Sequence, residues 1–146
     1  MQQTISIGIG ALTIGEFVAV ARDDAPVGIS VEALAAVEET RARIEELAVS
    51  PDHIYGVSTG FGALAQLHIP HEKRTELQRS LIRSHAAGSG PEVEREVVRA
   101  FMLLRLSTLC TARTGVRPAV VETYAALLTT GLTPVVHEYG SLGRVW

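Results

Sequence analysis

Tyr55-Gly56-Val57-Ser58-Thr59-Gly60-Phe61-Gly62 is the stretch on which the reading of the fold turns. Gly56-Val-Ser58-Thr-Gly60 matches the G-x-S-x-G pattern of a nucleophile elbow, which belongs to a parallel-sheet hydrolase. An elbow needs a strand before the serine and a helix after it, so that the serine projects from the sheet. Here Phe61-Gly62 prolongs the loop, and three glycines in eight residues are too many for a helix interior. No alternating strand–helix units flank it. The octapeptide is therefore read as an irregular loop in a mainly α chain. Glycines on either side let backbone approach a ligand closely, and a loop can present a phenol such as Tyr55 that would otherwise be buried. Taken alone, Tyr55 stays open between a structural and a functional role.

Upstream, Thr4 to Ile9 alternates around Ile5, Ile7 and Ile9 and predicts one short N-terminal strand. Thr13-Ile-Gly-Glu16 has the form of a capping box and starts a short helix that ends near Arg22. Asp23 to Gly28 collects turn residues. Ser30 is a candidate N-cap for an amphipathic helix carrying Val31, Leu34, Ala35, Ile44 and Leu47, which Ser50-Pro51 stops. Downstream, helical character resumes from Glu72 to Ala87 and ends at Gly88-Ser-Gly90-Pro91. From Glu92 to Thr111 apolar residues leave almost no polar face except arginines, as in a helix inside a bundle or an oligomer interface. Pro118 suits the first turn of a last helix running to Gly131, and Leu132 to Trp146 reads as an extended tail.

The chain has 146 residues, enough for one compact domain at most, with 47% hydrophobic and 20% charged residues. A net charge of −3 offers no basic stripe for nucleic acid or an anionic membrane. No apolar run reaches the length that spans a bilayer, and the start lacks the basic segment of a signal peptide. Cys110 is the single cysteine; this excludes an internal disulfide framework and a Cys-rich zinc site, fits a reducing cytoplasm, and reads as a small core residue. Gly8-Ile-Gly10 lacks the third glycine of a dinucleotide fingerprint. His68 and His71 stand three apart and His137-Glu138 lacks a second histidine, so no metal site is expected. His85, closing a helix beside two alanines and a glycine, is open between a capping and a catalytic role.

Tyr55 to Gly62 resembles the signature loop of the aromatic amino acid ammonia-lyases. Further segments agree in order and spacing: Leu77-Gln78 through Ser84-His85-Ala-Ala-Gly88, Val97-Val-Arg99-Ala100, Thr114-Gly-Val-Arg-Pro118, and Leu132-Thr-Pro-Val-Val-His-Glu-Tyr-Gly-Ser-Leu-Gly143. Ser84-His85 resembles the histidine-specific version of the family's selectivity pair, phenylalanine and tyrosine lyases carrying other pairs. The resemblance implies the N-terminal helical region of the ammonia-lyase fold across residues 1–146, L-histidine as substrate, and urocanate and ammonia as products. In the family the electrophile is methylidene-imidazolone, built from an Ala-Ser-Gly backbone, and the active site is shared within a homotetramer. By resemblance Tyr55 is the base that removes the β-proton, a role for which a phenolate must be favoured by hydrogen bonds or positive charge. His85 lies beside the substrate side chain with Ser84, and Gly60 lets the loop approach the substrate.

After Gly143 the family continues with Ala-Ser-Gly-Asp-Leu-Ala-Pro, whereas this chain reads Arg144-Val145-Trp146. Codons GCG-TCT-GGT-GAC preceded by C, read one base out of frame, become CGC-GTC-TGG-TGA, which is Arg-Val-Trp-stop. The expectation is a frameshift at the electrophile codons and a chain that carries no cofactor of its own and is catalytically silent alone. A non-catalytic helical interaction module, pairing through Val97 to Leu109 or complementing a partner, and a tyrosine or phenylalanine lyase relative are the alternatives.

Overall fold

The computed structural model describes residues 3–140. The Arg144-Val145-Trp146 ending, and with it the frameshift expectation, lies outside the described residues. In chain order the elements are β1 (Ile5–Ile7), α1 (Ile14–Ala21), β2 (Val27–Ile29), α2 (Val31–Val49), α3 (Arg74–His85), β3 (Ser89–Glu92), α4 (Arg95–Cys110), α5 (Pro118–Thr130) and β4 (His137–Tyr139). The chain is mainly helical, and it separates into two compact units, residues 1–43 with 93–135 and residues 44–92 with 136–146.

In the first unit β1 pairs in parallel with β2 through the α1 crossover, with Ile5 opposite Val27 and Ile7 opposite Ile29. α1 begins at the expected capping box: Thr13 Oγ1 accepts from the Glu16 amide at 3.2 Å, and Glu16 Oε2 accepts from the Thr13 amide at 2.8 Å. Those Thr13 hydrogen bonds hold the Glu16 carboxyl below its ordinary range. Ser30 Oγ accepts from the Ala33 amide at 3.1 Å and starts α2 as read from sequence. Pro118 opens α5, its fixed φ suiting the first turn. Val27 to Ile29, placed at the end of a turn region by sequence, forms a strand instead. Its free edge is served by Thr129 of α5, whose hydroxyl accepts from the Val27 amide at 2.9 Å and donates to the Val27 carbonyl at 3.1 Å.

α4 is the centre of this unit's core. Val98, Met102, Leu103, Leu106, Leu109 and Cys110 are buried with Ile7, Val20, Val37, Val121 and Leu128. Burial pushes the Cys110 thiol up from its ordinary range. Sequence makes this helix apolar on all sides with arginines as its polar face; the structure corrects that. Phe101 and Leu104 are 62% and 50% exposed, while Arg99 is fully buried in the middle of the inward stripe. Its Nε and Nη2 donate to the Val20 carbonyl at 3.2 and 2.8 Å, its Nη1 donates to the Leu128 carbonyl at 3.1 Å, and Nε lies 3.0 Å from Asp24 Oδ1. A cation thus sits among carbonyls at the C-terminal turns of α1 and α5, where helix dipoles favour positive charge.

In the second unit a single turn at His71–Lys73 leads into α3, so the helix proper starts two residues later than the expected Glu72. Gly88 to Pro91, read only as a helix stop, contributes to β3, which pairs antiparallel with β4 (Ser89 opposite Tyr139, Glu92 opposite His137). His137 Nδ1 lies 2.9 Å from the Gly90 carbonyl across the same two-stranded sheet. Arg74 ties α3 to the end of α2, Nη1 donating to the Ala48 carbonyl at 2.8 Å and Nε to the Ile69 carbonyl at 3.1 Å.

Candidate active site

The glycine-rich loop is held by its own polar groups. Ser58 is fully buried; its Oγ accepts from the Ile54 amide at 2.9 Å and donates to the Asp52 carbonyl at 2.8 Å. Both capacities of the hydroxyl are committed to backbone, so the G-x-S-x-G serine is a loop staple and not a nucleophile. Two further bonds, from the Gly60 amide to the Leu67 carbonyl (3.1 Å) and from the Ile69 amide to the Ser58 carbonyl (2.9 Å), close residues 58–69 into a short antiparallel bridge.

Two glycines carry this shape. Gly56 has φ +73, the left-handed region that side chains rarely adopt. At Gly60 a Cβ would stand 2.5 Å from Leu64 Cβ and 3.0 Å from the Leu64 carbonyl oxygen, a conflict with the turn Gly62–Leu64. The room that Gly60 leaves is therefore taken up by the loop's own backbone.

Tyr55 projects from this loop, 63% exposed, its ring edge-to-face with Phe61 at 5.9 Å between centroids. Such a pairing orients the ring and leaves its phenol outward. Phe61 is a contributor that sequence reasoning missed; its signal was a second aromatic six residues along the same loop.

Ser84 and His85 close α3. Ser84 is exposed and His85 half-buried. The Ser84 hydroxyl donates to the Leu81 carbonyl at 2.9 Å, His85 Nδ1 lies 2.9 Å from that same carbonyl, and Ser84 Oγ lies 2.9 Å from Nδ1. The structure thus brings Ser84 and His85 together, with Leu81 four residues back as a partner that only helical spacing could have signalled. Among the described residues no hydrogen bond or ring contact joins Tyr55 to His85. An open groove of about 440 Å³ lies between the bridge and α3, lined by residues including Leu67, Pro70, Lys73 and Leu77, and touches none of Tyr55, Gly60, Ser84 or His85.

The rings of His53 and His68 lie 5.5 Å apart. Among the described residues no cluster of three His, Cys, Asp or Glu side chains could hold a metal, and no helix is long and apolar enough to cross a membrane.

The family model described as aromatic amino acid lyase matches residues 12–144. The chain belongs to the aromatic amino acid lyase family. It is 57% identical over 140 residues to the histidine ammonia-lyase of Streptomyces coelicolor, covering 96% of this chain and 27% of that protein. Among solved structures it resembles the tyrosine aminomutase of Streptomyces globisporus (TM-score 0.89, 36% identity, 96% of this chain and 27% of that one). It also resembles the histidine ammonia-lyase of Trypanosoma cruzi (TM-score 0.84, 31% identity, 97% and 27%). The chain thus spans about a quarter of the length of these relatives. The helical fold expected from the lyase resemblance is the fold observed.

Proposed function

We propose that this chain is the N-terminal part of a histidine ammonia-lyase-type protein, whose complete form eliminates ammonia from L-histidine to give urocanate. The observation that carries the reading is the 57% identity over 140 residues to a histidine ammonia-lyase. Tyr55 is the group proposed to take the substrate's β-proton; its exposure and its edge-to-face support from Phe61 suit a phenol that must reach an external C–H. His85 is proposed to exchange a hydrogen bond with the substrate imidazole. The 146 residues contain no Ala-Ser-Gly, so the residues present do not fit the family's self-derived methylidene-imidazolone. The chain alone is proposed to be silent. A cytoplasmic location, supported by the lone buried Cys110, and a homotetrameric complete form belong to the same proposal.

A second reading, a non-catalytic interaction module, is favoured by Phe101 and Leu104, exposed three residues apart on α4. The test is urocanate absorbance with L-histidine, for the chain alone and with the remaining segment of a relative supplied as a separate fragment. Silence alone, activity on mixing, and its loss in Tyr55→Phe are expected. No product in either case rejects the lyase reading, and product from L-tyrosine or L-phenylalanine instead of L-histidine rejects the substrate.

A further inference from the structure

At the last turn of α3 the Leu81 carbonyl oxygen, Ser84 Oγ and His85 Nδ1 form a triangle whose three edges are each 2.9 Å. A carbonyl brings no hydrogen, so the three contacts are served by the Ser84 hydroxyl proton and whatever Nδ1 carries. Were Nδ1 unprotonated, its lone pair would face the carbonyl's lone pairs at hydrogen-bond distance with nothing between them. With the proton on Nδ1, the Ser84 hydroxyl donates to Leu81, and Nδ1–H is shared between the Leu81 carbonyl and the Ser84 oxygen.

We propose that the Leu81 carbonyl and the Ser84 hydroxyl hold neutral His85 as the Nδ1–H tautomer, leaving Nε2 as a lone-pair acceptor. Neither contact uses Nε2. Ser84 is then a positioning residue acting through His85, not a contact to substrate. An Nε2 acceptor takes a ligand ring that carries an N–H or O–H donor; imidazole has one and a phenyl ring has none. This last step rests on the lyase reading, while the tautomer rests on the triangle alone.

The test is a long-range proton–nitrogen NMR spectrum of the ¹⁵N-labelled full chain at a pH well above the ordinary imidazole range, with His85 assigned by the signals lost in His85→Gln. A pyrrole-type Nδ1 and a pyridine-type Nε2 are expected. Ser84→Ala should shift the population toward the Nε2–H form, and Ser84→Thr, which keeps the hydroxyl, should restore it. A dominant Nε2–H form in the unaltered chain overturns the proposal, and an unchanged ratio in Ser84→Ala overturns the part given to Ser84. Failure of the urocanate assay leaves this readout untouched, and an inverted tautomer refutes the inference even where urocanate forms.

Discussion

Replacing Arg99 by alanine should cost this chain about 3–5 kcal/mol of folding free energy. The guanidinium is fully buried and makes three hydrogen bonds to the carbonyls of Val20 and Leu128, which close α1 and α5. Truncation leaves both carbonyls without this donor in a place water does not reach, at roughly 1–3 kcal/mol each, and opens a cavity along the lost stem. Asp24, the ion-pair partner, is half-exposed and keeps Arg95 at 2.9 Å, so no buried charge is stranded and the cost stays below that of a broken interior pair. For a domain of this size the loss lowers Tm by roughly 10–20 °C.

Urea unfolding followed by far-ultraviolet circular dichroism measures it. Arg99→Met, which restores the stem but not the donors, separates packing from hydrogen bonding and should recover only part of the loss. Arg99→Lys should also remain well below the parent, because one ammonium cannot span both helix ends as the planar fork does. Arg105→Ala, on the exposed side of the same helix, should stay within about 0.5 kcal/mol. If Arg99→Ala matches Arg105→Ala, the cation does not join the helix ends and the reasoning fails.

The Asp24 carboxyl is held below its ordinary range first by its hydrogen bond from Arg95, then by the charges of Arg99 and Arg95. A depressed carboxylate stabilises the fold above its unfolded pKa, so this contribution should be intact at neutral pH and fade as pH falls below about 4; urea midpoints across that range should flatten in Asp24→Asn. Gly60→Ala should destabilise by about 1–3 kcal/mol, since its Cβ meets Leu64 backbone, whereas Gly15→Ala, with nothing within 4 Å inside α1, should stabilise by about 0.5–1 kcal/mol. Equal effects in thermal melts would contradict both readings. Cys110, buried and with its thiol pKa raised, should resist a thiol reagent in the folded chain and react at the global unfolding rate; rapid labelling without denaturant counts against the α4 core. Amide exchange should be slower in α4 and α5 than in α3 and the 52–69 loop, and uniform protection would argue against separate stabilities.

What could be read from sequence was what short-range chemistry decides. The Thr13/Glu16 box, the Ser30 cap and Pro118 at the start of α5 act over three or four residues, and each sits where the residues place it. The lyase resemblance likewise led to the family to which the chain belongs. What escaped were features set by partners far away in sequence. β2 carries Gly28 at its centre amid turn residues, and Ser89-Gly-Pro-Glu92 has little strand preference of its own. Arg99 looks like the solvent side of a leucine-rich helix because arginine usually is. Its inward turn depends on the ends of α1 and α5, which lie 79 and 29 residues away. In the site, the sequence already set the nucleophile-elbow reading aside, but the bonds that commit Ser58 to Asp52 and Ile54 instead are ones no motif encodes.

The distribution of apolar burial gives the proposed function its physical setting. Every fully buried apolar side chain among the described residues lies between Ile7 and Val37 or between Val98 and Leu128, in the first unit. Among the described residues, the unit that carries Tyr55, Gly60, Ser84 and His85 buries only Ser58, Thr59 and Gly60. Its order therefore rests on loop hydrogen bonds, each worth about 0.5–1.5 kcal/mol net, together with half-buried apolar side chains, and less on fully sealed burial than the first unit does. Leu67 and Ile82 face outward, 54% and 69% exposed, while Phe61, Ile69, Leu77 and Leu81 are half-buried. On the proposed function, Tyr55 and His85 must meet substrate, and residues that do so cannot be sealed into a core of their own. Tyr55 and His85 are held by local devices, an aromatic neighbour for one and a carbonyl–hydroxyl pair for the other, which set each ring.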